Sequence, residues 1–397
     1  MPSMQTNVAP EFRKTTETFT AGAKSLAQHY FVSSEIFAQE QRKIFSEQWI
    51  LVGHQSQIPN AGDYIVQQVI EESLIVIRDK SGEIHGFFNV CRHRGTRLKE
   101  DACGHASTIQ CPYHAWTYGL DGRLIGAPHM DDVPRFNKAD YSLHAVNLGI
   151  WEGFIFANLG ASGSLTSILS QKERRTTAPD ARHESLEEWF APLNGKFSHW
   201  NISILQPAKR IEYHVRANWK LMFENYSECY HCPGVHPQLQ KVSPYDSAEN
   251  DLTEGPFLGG SMKINPGKSL TISGNACAAF VGKIENLQQV FYYSIFPNML
   301  LSLHPEYVMV HQLWPQSPER TLIVCDWLFH PDSFDRKDFK PEDAIEFWDM
   351  TNKQDWHVCE LSQQGIASRA YQPGPYSSRE SIPAAFDREY LRQMKRD

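Results

Sequence analysis

Residues 91–114, CRHRGTRLKEDACGHASTIQCPYH, decide the fold, because they contain two mixed pairs of metal-binding side chains. Cys91 and His93 form the first pair, and Cys111 and His114 form the second. Two thiolates and two imidazoles suit a [2Fe–2S] cluster in which cysteines bind one iron and histidines bind the other. Structural zinc also accepts Cys2His2, but its usual sites pair cysteine with cysteine and histidine with histidine. The mixed pairs therefore favour an electron-transfer cluster over zinc.

A second group of metal-binding residues occupies positions 218–236, NWKLMFENYSECYHCPGVH. His231 and His236 are natural ligands for a mononuclear iron that one carboxylate completes. The pattern predicts a helix over residues 218–231, on which Glu228 shares a face with His231. His236, five positions further, points elsewhere unless the intervening Pro-Gly breaks the turn. An ordinary hydrogen-bonded histidine pair is the alternative. The upstream cluster makes it the weaker one, because a cluster requires an electron acceptor.

Both segments resemble the α subunits of Rieske non-haem iron oxygenases. The ligand spacing, the flanking Arg94-Gly95, Tyr113 and Trp116, and the ENYSECYHCPGVHP segment carry the resemblance. It implies an all-β Rieske [2Fe–2S] domain joined to a helix-grip domain, an antiparallel sheet with helices, so the fold class is α+β. It also implies that Cys91, His93, Cys111 and His114 bind the cluster.

The same resemblance assigns roles in the second segment and beyond. His231, His236 and Asp355 are expected to bind the iron, with Asp349 as the second choice for the carboxylate. Electrons are expected to pass from His114 through Glu228 to His231. Asn225 and Glu228 are the candidate catalytic residues.

The position of Glu228 is occupied by aspartate in most of the family, and glutamate there resembles the branch acting on quaternary ammonium compounds such as choline, glycine betaine and carnitine. The resemblance thus implies the terminal component of a monooxygenase that hydroxylates or N-demethylates such a substrate with O2. A ring-hydroxylating dioxygenase for an aromatic acid is one alternative, and a non-catalytic Rieske electron carrier is another. Aromatic residues that could surround a cation are Tyr292, Tyr293, Trp314, Trp327, Phe329, Trp348 and Trp356.

Partners follow from what the sequence lacks and from the resemblance. There is no G-x-G-x-x-G fingerprint and no plant-type ferredoxin cysteine set, so a separate NAD(P)H-dependent reductase is expected. Family members are head-to-tail trimers, which implies a homotrimer. A net charge of −8 gives no basic footprint for nucleic acid, and no apolar run approaches the roughly 20 residues that span a bilayer.

Length, cysteine content and hydrophobic periodicity complete the expectations. The chain has 397 residues, which is enough for two domains. Its eight cysteines are too few for a disulfide scaffold. A cytoplasmic location is expected, since cluster assembly needs reduced thiols and the N-terminus has no signal core. The predicted domains are residues 1–46, a helical segment packing on the catalytic domain, 47–160, the Rieske domain, and 161–397, the catalytic iron domain. Residues 161–182 are expected to be a linker.

Overall fold

The computed structural model describes residues 11–160, 184–281 and 287–395, and the predicted linker lies outside these ranges. The chain forms two compact units that divide after Glu40 and after Ile204. We call residues 41–204 the smaller unit, and residues 1–40 with 205–397 the larger unit. Elements are numbered along the chain.

The smaller unit is built on antiparallel strands. Within its described residues a seven-stranded sheet has the order β2-β11-β10-β5-β4-β3-β6, and β7-β8-β9 form a separate three-stranded sheet. The strands are β2 Ile50–His54, β3 Asp63–Val69, β4 Glu72–Arg78, β5 Ile84–Phe88, β6 Cys103–His105, β7 Ile109–Gln110, β8 Thr117–Tyr118, β9 Leu124–Gly126, β10 Ala145–Trp151 and β11 Phe154–Asn158. The prediction of an all-β cluster domain is confirmed.

Residues 184–204 pack on this sheet, so the unit continues beyond the predicted boundary at residue 160. The short helix α3, Leu186–Trp189, lies over β10, where a side chain at Gly149 would collide with Leu186. The Trp151 and Phe190 rings stack with centroids 4.4 Å apart. Apolar burial at these contacts holds the segment to the cluster-bearing sheet.

The larger unit contains an antiparallel sheet with helices, as predicted. Among its described residues the order of eight strands is β1-β13-β14-β15-β16-β17-β18-β12. The strands are β1 Arg13–Lys14, β12 Gln206–Val215, β13 Glu249–Leu252, β14 Phe257–Lys263, β15 Gln289–Ile295, β16 Met299–Leu303, β17 Tyr307–Ser317 and β18 Arg320–Phe329. Strands β16 and β17 are almost wholly buried, consistent with a sheet covered by helices.

Helices of the larger unit pack on this sheet and on each other. They are α1 His29–Val32, α2 Ser34–Glu40, α4 Trp219–Tyr226, α5 Cys232–Val235, α6 Pro237–Val242, α7 Pro331–Phe334, α8 Pro341–Ile366 and α9 Ser381–Met394. The long α8 buries apolar side chains at three- and four-residue intervals, as an amphipathic helix does. No helix in the described parts of the chain combines the length and the apolarity needed to cross a membrane.

A buried ion pair fixes α4 to the N-terminal segment. Glu40 accepts hydrogen bonds from Lys220 Nζ (2.5 Å), Trp219 Nε1 (2.9 Å) and Tyr390 Oη (2.7 Å). Asn218 caps α4 by accepting from the Lys220 amide at 3.1 Å. Removing either charge would leave the other buried and unpaired. These contacts hold the start of the segment that carries the two histidines.

Candidate functional site

Two matching turns present the cysteines of the smaller unit. In the first, the Gly95 amide donates to the Cys91 carbonyl (3.0 Å), and in the second the Ala115 amide donates to the Cys111 carbonyl (3.1 Å). Gly95 and Ala115 both have positive φ, at +76° and +56°. A left-handed residue four positions after each cysteine reverses the chain. The histidine of each pair is thereby carried on the same turn as its cysteine.

The four predicted cluster ligands converge between these turns. The His93 and His114 rings lie 4.8 Å apart, centroid to centroid. Cys91 and Cys111 are free thiols buried beneath the two exposed imidazoles. Tyr118 Oη lies 3.3 Å from Cys91 Sγ, within reach of a hydrogen bond to a thiolate. The donor set, two thiols and two imidazoles, fits a [2Fe–2S] cluster with its histidine side towards solvent.

The larger unit brings together the three predicted iron ligands. His236 Nε2 lies 2.8 Å from Asp355 Oδ1, and His231 Nε2 lies 3.2 Å from the same oxygen. The two Nε2 atoms are 3.1 Å apart. Two imidazoles and one carboxylate facing a common point are the donor set of non-haem Fe(II) oxygenases. The residues present therefore fit a mononuclear iron.

Outer partners orient both imidazoles. His231 Nδ1 lies 2.6 Å from Glu228 Oε1, and His236 Nδ1 lies 2.8 Å from Gln354 Oε1. Carboxylate and amide oxygens only accept, so each Nδ1 carries the proton and donates it. Each Nε2 is then left as the lone-pair donor, which is how such partners select the tautomer of a metal-binding histidine.

Glu228 reaches His231 through a turn rather than along a helix, and the helix expected over 218–231 was wrong in extent. Helix α4 ends at Tyr226, and Glu228 Oε2 accepts from the amides of Tyr230 and His231. A carboxylate that binds backbone amides competes with helix continuation. A disulfide joins Cys229 to Cys232 across the same turn.

Charge at this site favours a cation. Burial alone would lower the pKa of His231, but hydrogen bonds to Asp355 and Glu228 outweigh it and raise that pKa to about 10. Burial would raise the pKa of Asp355, and its histidine partners hold it below the ordinary value. Two carboxylates thus stabilise positive charge at the imidazoles. A divalent ion supplies that charge in place of a proton.

Asp349, the second choice for the iron carboxylate, lies elsewhere on α8. It accepts from Tyr213 Oη at 2.9 Å and pairs with Lys353 Nζ at 2.6 Å. Asp355 is the carboxylate that meets the histidines, because it lies on the helix face carrying Trp348, Thr351 and Asn352.

A cavity of about 350 Å³ adjoins the three donors. The predicted catalytic residues Asn225 and Glu228 line it. Of the seven predicted aromatics, Tyr292, Trp348 and Trp356 line the cavity, whereas Tyr293, Trp314, Trp327 and Phe329 are buried away from it. Sequence reasoning missed the lining residues Lys14, Tyr226, His311 and Arg379. Tyr226 lies directly after Asn225 in the chain, and this proximity could have identified it, but Lys14 and Arg379 reach the cavity only through tertiary folding.

Together the two sites define an iron-dependent oxidoreductase that receives electrons through a Rieske cluster. Residues 48–137 match the Rieske [2Fe-2S] domain, and residues 203–396 match the ring hydroxylating alpha subunit, catalytic domain. The chain is 32% identical to the glycine betaine monooxygenase oxygenase subunit of Chromohalobacter salexigens, covering 90% of this chain and 82% of that protein. It belongs to the Rieske non-haem iron oxygenase α subunits, an enzyme family whose cofactors are a Rieske [2Fe–2S] cluster and a mononuclear iron.

Two further relatives place the chain within the family. The carnitine monooxygenase oxygenase subunit of Escherichia coli K12 is 27% identical, covering 92% of this chain and 91% of that protein. The crystal structure of the quaternary ammonium Rieske monooxygenase CntA with its substrate L-carnitine is 26% identical, covers 96% of this chain and 99% of that chain, and has a TM-score of 0.70. The predicted resemblance to the quaternary-ammonium branch is confirmed.

Proposed function

We propose that this protein is the terminal oxygenase component of a Rieske monooxygenase that hydroxylates or N-demethylates a quaternary ammonium compound. The observation that carries the proposal is the cavity at His231, His236 and Asp355, whose wall holds several aromatic rings. Relatives named as glycine betaine and carnitine monooxygenase subunits support the same substrate class.

The aromatic wall suits a cation that cannot donate hydrogen bonds. The rings of Tyr226 and Tyr292 are 5.9 Å apart and nearly perpendicular, and Trp348 lies 6.3 Å from Tyr292. Trp356 lines the cavity directly after Asp355. A cation held over such ring faces gains about 0.5–2 kcal/mol per good contact. A trimethylammonium group in this part of the cavity would present a methyl group towards the metal donors.

In this proposal His231, His236 and Asp355 hold the iron, and Cys91, His93, Cys111 and His114 hold the cluster. When bound, the cluster delivers electrons one at a time and the iron activates O2. The protein binds the substrate cation, orients it and excludes water, while Glu228 and Gln354 hold the Nδ1 protons of the two ligand histidines.

The overall reaction consumes one substrate C–H bond, O2, two electrons and two protons, and gives a C–OH group and water. A hydroxyl group on the carbon beside a quaternary nitrogen makes an N–C–OH unit. That unit breaks down to an amine and an aldehyde, with release of a proton. Hydroxylation and N-demethylation are therefore successive outcomes of one chemistry.

Glu228 is the proposed bridge for electrons from a neighbouring subunit's cluster to His231, in the homotrimer that the family resemblance implies. The exposed His114, beside the exposed Tyr113, supports transfer to a neighbouring chain. A separate reductase is the proposed electron source, because the matched relatives are named as oxygenase subunits. We further propose a cytoplasmic location, supported by the free thiols of Cys91 and Cys111 that cluster assembly needs.

The test compares a trimethylammonium substrate with its uncharged tert-butyl analogue, which has nearly the same shape. Oxygen uptake is measured with a surrogate reductase, using choline, glycine betaine, carnitine and benzoate in parallel. We expect the cationic compound to stimulate uptake far more than the neutral one. Equal stimulation, or activity with benzoate alone, would assign the protein to the ring-hydroxylating alternative. No uptake with any substrate would support an electron carrier.

A further inference from the structure

Two cationic side chains, Lys14 and Arg379, line the substrate cavity. They come from opposite ends of the chain. Lys14 is the last residue of strand β1 and pairs with Glu249 of the neighbouring strand β13. Arg379 lies in a short 3-10 helix, Ser378–Glu380, just before α9. A hydrogen bond of 3.0 Å from Thr18 Oγ1 to Ser381 Oγ joins the two segments.

Arg379 is held in place without an acidic partner. Its guanidinium carbon lies 5.1 Å from the centroid of the Tyr245 ring, which also lines the cavity. A capping box fixes the backbone, with the Arg379 amide donating to Ser377 Oγ at 3.2 Å. Within residues 11–160, 184–281 and 287–395, no carboxylate oxygen lies within 4.0 Å of a side-chain nitrogen of Arg379 or Lys14. A guanidinium of this kind has its donors available for an anion.

The carboxylates that line the cavity do not pair with Arg379 or Lys14. Glu228 and Asp355 are engaged by the histidines. Asp246 also lines the cavity, but it forms no ion pair with Arg379 within 4.0 Å. The cavity therefore has an aromatic part near the metal donors and a part lined by two cations.

We propose that the substrate is a zwitterion, a quaternary ammonium compound that carries a carboxylate, and that Arg379, assisted by Lys14, binds the carboxylate. This inference rests on the proposed function and narrows it to betaines. A guanidinium binds a carboxylate through two parallel charge-assisted hydrogen bonds. An alcohol such as choline offers only one neutral hydroxyl group to Arg379. This contact compensates less well than a carboxylate would for the water that the guanidinium loses on binding.

The first experiment uses the unmodified protein, loaded with both metals and kept without oxygen or reductase. Isothermal titration calorimetry measures binding of glycine betaine, its methyl ester and choline. The ester keeps the trimethylammonium group and loses the carboxylate charge. We expect glycine betaine to bind at least about tenfold more tightly than either cation, which corresponds to about 1.4 kcal/mol.

The second experiment repeats the titrations with Arg379→Gln, Arg379→Lys and the control Arg336→Gln. Arg336 is a surface residue paired with Asp338. We expect Arg379→Gln to weaken the binding of glycine betaine about tenfold or more, while the affinity for choline changes less than about twofold. Arg379→Lys should keep part of the affinity, because it keeps the charge and loses the planar fork. Arg336→Gln should leave the affinity for both ligands unchanged.

The outcomes separate this inference from the proposed function. Equal affinity of the unmodified protein for glycine betaine and its ester would overturn the carboxylate site and leave quaternary-ammonium binding in place. If Arg379→Gln lost affinity for glycine betaine and for choline equally, Arg379 would be a structural residue. That result would also overturn the carboxylate site. If none of the three compounds binds, the proposed function and this inference fail together.

Discussion

Gln354 Oε1 lies 2.8 Å from His236 Nδ1, although the adjacent Asp355 reaches the opposite nitrogen of the same ring. Two consecutive residues of α8 thus hold His236 from both sides. Gln354 holds the proton on Nδ1, and Asp355 meets Nε2, the nitrogen that faces His231. One turn of helix therefore sets both the tautomer of a ligand and the position of the carboxylate.

Gln354→Leu should weaken iron binding without removing a ligand. Loss of the acceptor frees the His236 ring to change tautomer and orientation, and changes of this kind cost about 10- to 100-fold in metal affinity. Release of iron to a chelator, followed by absorbance, measures the effect. Gln354→Glu restores an acceptor and should retain the iron, so equal loss in both variants would argue against a hydrogen-bonding role.

Glu228→Gln should keep both metals and lose most turnover. The amide oxygen can still accept from His231 Nδ1, now 2.6 Å from Glu228 Oε1, but a neutral amide cannot bridge two imidazole N–H groups as a carboxylate does. Re-oxidation of a pre-reduced cluster after mixing with O2 and substrate measures electron transfer. Glu228→Asp keeps the charge on a shorter side chain and should retain more transfer than the amide. Normal cluster re-oxidation in Glu228→Gln would remove Glu228 from the electron path.

Ligand residues were predictable from the sequence where their chemistry is local. Cys91, His93, Cys111 and His114 lie in turns whose backbone hydrogen bonds close within five residues, so their spacing alone indicates the site. His231 and His236 are similarly close in the chain. Asp355 was separable from Asp349 only by resemblance, since both lie on one long helix and the sequence does not say which face meets the histidines.

Long-range contacts account for what the sequence did not predict. Lys14 and Arg379 reach the cavity because β1 joins a sheet edge and the segment before α9 folds back beside it. No periodicity connects two residues so far apart in sequence. The expected helix through Glu228 failed for a local reason, because the Glu228 carboxylate binds the amides that a helix would have used.

Tyr118→Phe should lower the reduction potential of the cluster. Tyr118 Oη lies 3.3 Å from Cys91 Sγ and accepts from the Arg92 amide at 3.0 Å. A cluster-bound thiolate has no proton, so the tyrosine donates, and this donation stabilises the more negative reduced state. The potential should fall by about 60 mV for each tenfold decrease in the equilibrium constant of the one-electron reduction. Redox titration followed by circular dichroism measures it.

Tyr113→Phe is the matched control for that potential. The Tyr113 ring is 56% exposed and lies 3.7 Å from His114, centroid to centroid. Its hydroxyl has no cysteine sulfur within hydrogen-bonding distance in the described structure. The potential should change much less than in Tyr118→Phe, and equal shifts would show that the Tyr118 hydroxyl does not tune the cluster.

Asp387 should make the stability of the protein depend on pH. Burial raises the pKa of this carboxyl to about 7, and it also raises the pKa of the nearby Glu224 carboxyl. Tyr376 Oη donates to Asp387 Oδ2 at 2.8 Å. Because the folded pKa lies above the ordinary value of 3.8, the folded protein binds the proton more tightly than the unfolded chain. The contribution of the Asp387 proton to the free energy of unfolding is complete below about pH 4 and is lost as the pH rises through about 7.

Asp387→Asn removes that titration and should reduce the loss of stability between pH 5.5 and pH 8, a window chosen around the folded pKa of about 7. The thermal unfolding midpoint of the metal-loaded chain, followed by circular dichroism at constant ionic strength, measures the effect. Asp338→Asn is the control: Asp338 is exposed, and its hydrogen bond with Arg336 lowers its pKa. It should therefore keep the pH dependence of the unmodified protein over this window. Asp387 also raises the pKa of Glu224, so the difference between Asp387→Asn and the unmodified protein reports the titration of this carboxyl pair. An unchanged pH dependence in Asp387→Asn would mean that Asp387 does not hold a proton in the folded protein.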